Sequence, residues 1–258
     1  MEKKILVAVP CYKCSVQIPR VIGEFDTPLL ERINKVMIID NQSPDDTIKS
    51  AIEAIKEKGF ESKFIVVRNN ENYNLGGSHK VAFNFALNND IDYVAILHGD
   101  NQAKTQELNN LINEIEKDDS LGAVLGVRFM KGSRLSGYAQ SRIWGNRGLN
   151  ALFSLVTFRT TEDLGSGINI FKMADLTDKR YLFFSDNLAF NVDLLLDYYR
   201  KKTKLKFAPI SWSETDQVSN ARNLKIGWMI LKKLLAWRLN PNRKYATGEI
   251  DYSFTQIF

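Results

Sequence analysis

Three side chains able to meet a cation or a phosphate fall within five positions: His98, Asp100 and Gln102. They follow a short apolar run, Tyr93 to Leu97, that breaks at His98-Gly99. The run has the length and composition of a buried strand. A carboxylate, an imidazole and an amide gathered past a strand's end could hold a divalent cation through oxygen and nitrogen. Gly-Asp-Asn is also ordinary turn chemistry, so the residues alone leave both readings open. The elements that would position them decide between the two.

Ile5 to Val9 is an apolar, β-branched run that ends at Pro10-Cys11-Tyr12, with a helical pattern from Ile18 to Phe25 behind it. Lys35 to Ile39 is a second strand, opening into Asp40-Asn-Gln-Ser-Pro-Asp-Asp-Thr47. There Ser43 suits a helix N-cap and Pro44 the first helical position, and Gly59 ends the helix. A third strand, Phe64 to Val67, empties into a loop holding Asn74 and Gly76, and a helix is expected from about His79 to Asn88. Strand–loop–helix units in this order argue for an α/β sheet with parallel strands. Its loops then open on one edge, where ligands of such sheets bind. That shared edge favours a site over a turn.

Further on, the pattern predicts helices over 104–117, 139–156 and 186–199, and strands over 123–129, 168–171 and 207–210. Arginines cluster between 128 and 159. The last predicted helix, Leu224 to Leu239, has a wide apolar face with Trp228 and Trp237, and Lys225, Lys232 and Lys233 on a narrower one. It is too short and too charged to span a bilayer, which needs roughly 20 apolar residues. It could lie in a membrane interface or pack on the domain.

The chain has 258 residues, 44% hydrophobic and 25% charged, as in an ordinary globular protein. A net charge of +5 points mildly toward anionic partners. The charge is dispersed and no RNP or zinc-finger pattern occurs, which sets nucleic acid aside. Cys11 and Cys14 form a Cys-x-x-Cys pair, read here as two reduced thiols in a loop, with a redox site as the alternative. Met1-Glu-Lys-Lys leads straight into a strand, so no signal peptide is read and a cytoplasmic protein is expected.

Four stretches, Val7-Ala-Val-Pro-Cys-Tyr12, Ile38-Ile-Asp-Asn-Gln-Ser-Pro-Asp45, Asn74-Leu-Gly-Gly77 and Leu97-His-Gly-Asp-Asn-Gln102, resemble in order and spacing the family 2 inverting glycosyltransferases of the GT-A fold. Gly132-Ser-Arg134, Arg142 to Asn150, Asp163 to Ile168 and Phe190 to Leu194 resemble the branch that includes dolichol-phosphate mannose synthase. The resemblance implies a GT-A domain over 1–212, a Rossmann-like mixed sheet flanked by helices, with 213–258 a C-terminal amphipathic helix and tail. It implies a nucleoside-diphosphate-sugar donor held by Pro10, Tyr12, Asp40, Asn74, Gly76 and Asp100. A divalent cation, Mn2+ or Mg2+, would sit on Asp100, Gln102 and His98. Arg134, Arg142 and Asn146 would face an acceptor phosphate, most simply a polyprenyl phosphate, with the protein peripheral on the inner face of a membrane.

An acceptor phosphate is already ionised and needs positioning more than a base. A glycan hydroxyl as acceptor would need a carboxylate base, and Asp163 or Asp186 is the candidate. His98 stands where the family's metal motif usually has a carboxylate, so a catalytically silent nucleotide-sugar-binding module is a further alternative.

Overall fold

The computed structural model describes residues 3–214, 223–240 and 250–258, with the side chains of 223–225 left out. In chain order the first half runs β1 (Ile5–Cys11), α1 (Ile18–Gly23), α2 (Thr27–Glu31), β2 (Lys35–Asp40), α3 (Thr47–Lys58), β3 (Phe64–Asn69), α4 (Asn74–Asn88), β4 (Tyr93–Leu97) and α5 (Leu108–Lys117). The second half runs β5 (Ala123–Val127), β6 (Arg134–Ser136), α6 (Gln140–Thr157), β7 (Ile168–Lys172), α7 (Phe190–Lys201), β8 (Leu205–Pro209), β9 (Ser211–Ser213), α8 (Asn223–Leu239) and β10 (Phe254–Gln256).

Eight strands form one sheet in the order β10-β3-β2-β1-β4-β7-β5-β8. β1, β2, β3 and β4 are parallel, as are β5 and β8, while β7 and β10 run antiparallel to their neighbours. The sheet is therefore mixed, and the antiparallel β7 is what a reading of purely parallel units misses. From β1 the chain moves outward to β2 and β3, then returns to place β4 on the other side of β1. The carboxyl ends of β1 and β4 thus flank a topological switch point, where the connecting loops diverge and leave a crevice.

Both faces of the sheet are covered, which explains the near-continuous apolar strands. Along β1, Ile5, Val7 and Val9 join one core with Ile18, Val21, Ala51, Ile55 and Leu111, from α1, α3 and α5. Leu6 and Ala8 point the other way and meet Val81, Phe83, Phe153, Leu195 and Tyr198, from α4, α6 and α7. Ile230 and Leu234 of α8 are buried in this second core, and Tyr252 joins it from the segment before β10.

Two expected boundaries move. The helix after β2 begins at Thr47 rather than behind Ser43. The Ser43 N–H is held by both Asp40 oxygens at 3.2 Å, and its hydroxyl accepts the Lys13 N–H at 3.0 Å. Ser43 is thus tied across the loop, and the helix starts four residues later. Conversely, α4 begins at Asn74, so Gly76 and Gly77 lie in its first turn and not in a loop. The short β6 and β9 pair with each other in a separate parallel ribbon. Among the described residues no helix is long and apolar enough to cross a membrane.

Candidate functional site

Residue 12 owes its position to a zipper between the loops that follow β1 and β2. The Lys13, Cys14 and Ser15 N–H groups donate to Ser43 Oγ, Thr47 Oγ1 and Asp45 Oδ2 at 3.0, 2.9 and 3.4 Å. Lys13 itself turns through φ 56°. Tyr12 is left 47% exposed, with the Lys13 ammonium 5.4 Å from the centre of its ring. A fixed, exposed aromatic ring suits stacking on a planar base.

Asp40 pairs with Cys11 in register across β1 and β2 and is wholly buried. Burial pushes its carboxyl up, and hydrogen bonds from Ser43 with the charge of Arg68, Nε 3.4 Å away, pull it back. The next residue, Asn41, staples the third loop: its Oδ1 accepts Asn69 Nδ2 and the Tyr73 N–H, each at 2.9 Å. That network delivers Asn74, exposed and at φ 57°, to the start of α4. Gly76 is needed there for close approach. A Cβ on it would lie 2.5 Å from the Ser185 carbonyl oxygen and 2.7 Å from Phe190 Cβ.

The β4 loop closes the crevice. Pro10, buried in β1, accepts the Gly99 N–H at 3.1 Å, so it positions this loop. Asp100 receives the Gln102 N–H at 3.2 Å, and burial drives its carboxyl up against the pull of that N–H and its own. Asn101, at φ 56°, has a buried Oδ1 with no partner among the described residues. Gln102 accepts the Ser213 N–H at 2.8 Å, and Ala103 bridges Trp212, so β9 lies over the loop. A desolvated carboxylate beside an unpartnered amide oxygen fits a hard divalent cation, which takes oxygen ligands. No group of three His, Cys, Asp or Glu among the described residues forms a ready-made metal site.

His98 lies under the loop. A Cβ on Gly167 would come within 2.7 Å of its Nδ1 and 2.8 Å of the Trp212 ring. Its ring stands edge-on to His79, 6.2 Å between centres, and the Nε2 atoms of both are buried without partners among the described residues. Burial, then the charge of Arg128, lowers the His98 pKa to about 4, so the imidazole is neutral.

Asp163 does not fit the role of general base. Arg128 Nε and NH2 donate to its two oxygens, each at 2.8 Å, and the Arg128 and Gly165 N–H groups add bonds of 3.0 Å. A buried carboxylate so engaged has no lone pair to spare for an acceptor proton. It is a structural anion that holds Arg128 among Phe129, Tyr138 and Trp212. No sequence signal tied the two, because they stand 35 residues apart.

Asp186 is the carboxylate that sequence reasoning underweighted. Its backbone oxygen accepts the Gly76 and Gly77 N–H groups at 2.6 and 3.3 Å. Its Oδ1 accepts Lys80 Nζ at 2.7 Å and the Tyr252 hydroxyl at 2.8 Å, yet the side chain is 45% exposed. Lys80 is completely buried and also donates to the Leu182 and Phe184 carbonyls.

The expected acceptor residues gather on α6 and β6. Arg142 pairs with Glu214 and lies 4.4 Å over Tyr138, whose hydroxyl accepts Asn146 Nδ2 at 3.0 Å. Arg134 is exposed on β6, paired to β9 and so brought beside the strand that covers the Asp100 loop.

Residues 6–186 match the glycosyl transferase family 2. The chain belongs to that family. The solved structures it resembles include glucosyl-3-phosphoglycerate synthase from Mycobacterium tuberculosis with phosphoglyceric acid, at TM-score 0.64 and 14% identity, covering 93% of this chain and 80% of that one. The same enzyme with uridine diphosphate matches at TM-score 0.65 and 14% identity, covering 98% and 87%. Its complex with Mn2+, UDP-glucose and phosphoglyceric acid matches at TM-score 0.63 and 14% identity, covering 93% and 79%. At this identity the likeness establishes the GT-A fold. As a family 2 member the chain is a nucleotide-sugar glycosyltransferase.

Proposed function

We propose that the protein moves a sugar from a nucleoside diphosphate to a phosphate-bearing acceptor, with inversion at the anomeric carbon. What supports this is that Tyr12, Asn74 and Asp100 follow β1, β3 and β4 on the carboxyl edge of the sheet, beside the switch point between β1 and β4. Tyr12 stacks on the base. Asp40 builds the loop that holds Tyr12 and Asn74 in place. The first turn of α4 presents backbone N–H groups and the positive end of its dipole to the diphosphate.

Asp100 would hold a divalent cation, with Gln102 as a further ligand by family resemblance; His98, packed against His79 and Gly167, stands where that family usually has a carboxylate. When bound, that cation supplies positive charge against the departing diphosphate. Solved relatives of the fold contain Mn2+ beside a UDP-sugar, which supports Mn2+ as the ion to test first.

Arg134 and Arg142 would align an ionised acceptor opposite the leaving group. For a polyprenyl phosphate, the exposed Trp144 and Leu155 on α6, Phe158 just past its end, and Trp228, Leu235 and Leu239 on α8 offer apolar surface for the chain or a bilayer. Arg147 and Lys232 lie over Trp144 and Trp228, where anionic headgroups would meet them. The solved relatives instead bind phosphoglyceric acid, a small phosphate-bearing acceptor.

A second reading, transfer to a hydroxyl, is favoured by Asp186. This carboxylate is anchored through Oδ1, exposed, and fixed at the start of α4, as a general base would be.

Nucleoside diphosphate release from a panel of donors, with manganese and with polyprenyl phosphate, phosphoglycerate or a glycan as acceptor, tests these readings. Acceptor-dependent release with either phosphate supports the first. Release only with the glycan, lost in Asp186→Asn, supports the second. Donor binding without turnover under any pairing makes the protein a binding module.

A further inference from the structure

Between α7 and α8 lies a pocket of about 170 Å³ that none of the donor residues lines. Its polar groups are Ser185, Asp193, Arg200 and Lys233, and Phe184 and Trp237 contribute aromatic walls. The charges do not cancel. Lys233 Nζ is matched to Asp193, 2.7 Å from each oxygen, and also donates to Ser185 Oγ at 2.8 Å. Asp193 is filled further by the Ser185 N–H at 2.9 Å. The nearby Asp197 carboxylate is already met by Lys201 and Arg180. Arg200 has no carboxylate partner among the described residues, only the Trp237 ring, centred 5.8 Å from its guanidinium carbon. Its NH2 reaches the carbonyls of Trp237 and Asn240 at the end of α8 only at 3.4 and 3.3 Å. Its NH1 is buried with no acceptor among the described residues.

A guanidinium has five donors, and a buried donor left unmet destabilises the fold. Backbone carbonyls supply no charge to balance it. The pocket beside it is roomy and polar, and planar oxyanions are the ligands that a guanidinium fork matches. We propose that this pocket is a binding site for a small oxyanion of the phosphate or carboxylate class, with Arg200 as its chief ligand and Lys233 its second. The site also has a route to the donor crevice. Ser185 precedes Asp186, whose carbonyl holds the first turn of α4 and whose carboxylate holds Lys80. An anion seated against Ser185 fixes that segment and, through it, the helix start that meets the donor. By linkage, donor and anion then raise each other's affinity equally.

Hydrogen exchange of the whole protein, read by peptide, tests this without any turnover, so its result is independent of the transfer reaction. Titration with inorganic phosphate, with acetate, and with chloride as an ionic-strength control is expected to protect peptides from 183–201 with phosphate or acetate and not with chloride. Which of the two acts at lower concentration tells the phosphate from the carboxylate source. Arg200→Gln should abolish that protection while leaving any phosphate-induced protection near Asp100 intact. Arg200→Lys keeps the charge and the aliphatic stem, and should weaken the apparent affinity about tenfold, the worth of one charge-assisted bond. Equal protection by chloride, no protection at 183–201, or unchanged affinity in the Lys variant would each overturn the site and leave a pocket that holds water.

Discussion

Asp100 shows most sharply how a functional residue can work against the fold. Its carboxylate is desolvated and has only the backbone N–H groups of Gln102 and of Asp100 itself for compensation among the described residues, so its charge costs stability in the absence of a cation. Asp100→Asn should therefore leave thermal unfolding unchanged within about 0.5 kcal/mol, or raise it slightly. Turnover should fall by about 100-fold or more, the usual loss when one transition-state charge partner is removed. Near-normal turnover at saturating manganese would end the metal role. Cys11 is perturbed in the opposite sense to a redox thiol. A hydrogen bond with Cys14, then burial, then neighbouring negative charge hold its pKa well above the usual thiol value. Little thiolate forms near neutral pH, and the fraction rises only as pH climbs past the ordinary thiol range. Iodoacetamide at pH 8 should label native Cys11 far more slowly than the unfolded chain. Equal rates would revive the redox alternative.

Two glycines in helices predict opposite signs. Gly145 in α6 has nothing within 4 Å of a built Cβ, so Gly145→Ala should stabilise by about 0.5–1 kcal/mol through helix propensity. Gly76 in α4 would gain the same propensity, but its Cβ would meet backbone at 2.5 Å. Overpacking of about 1–3 kcal/mol outweighs that gain. Gly76→Ala should therefore lower the melting temperature, and weaken donor binding as α4 and Asp186 part. Calorimetry and donor titration of both variants check the pair. The sequence exposed these helices by their apolar spacing and their strands by β-branched runs. It hid β6, β9 and β10, three residues each, because such strands are defined by what they pair with and not by their own composition. Ser43 was misread for a related reason. Its capping chemistry is local, but its partners Asp40 and Lys13 include one 30 residues away.

At the scale of the whole molecule, the sheet is completed from both ends of the sequence. β10 covers the edge of β3, and Tyr252, just before it, supplies an acceptor to the buried Lys80. Removal of 250–258 uncovers a strand edge and strips one partner from a buried ammonium. The shortened protein should melt lower and aggregate, as bare edges do. A melting temperature within a degree or so of the full chain would show that β10 is dispensable. The architecture was legible because four strand–loop motifs occur in the order that an open sheet requires. The carboxyl edge followed from it, and with it Tyr12, Asp40 and Asp100. What stayed hidden were the long-range charge pairs, Arg128 with Asp163 and Lys80 with Asp186, 35 and 106 residues apart. Local pattern carries no trace of which distant charge will meet which.

The contact between Gly99 and Cys11 constrains how this crevice can evolve. A Cβ at position 99 would fall 2.4 Å from Cys11 Sγ, with the Pro10 carbonyl oxygen next at 3.2 Å. Any side chain at 99 must therefore wait for a smaller residue at 11. Gly99→Ala alone should be harmful, Cys11→Gly alone only mildly so, and the double variant better than the sum of the two. A mutational path that fills position 99 first is closed, while the reverse order is open. The history of two residues 88 positions apart is thus tied together by a single sulfur atom.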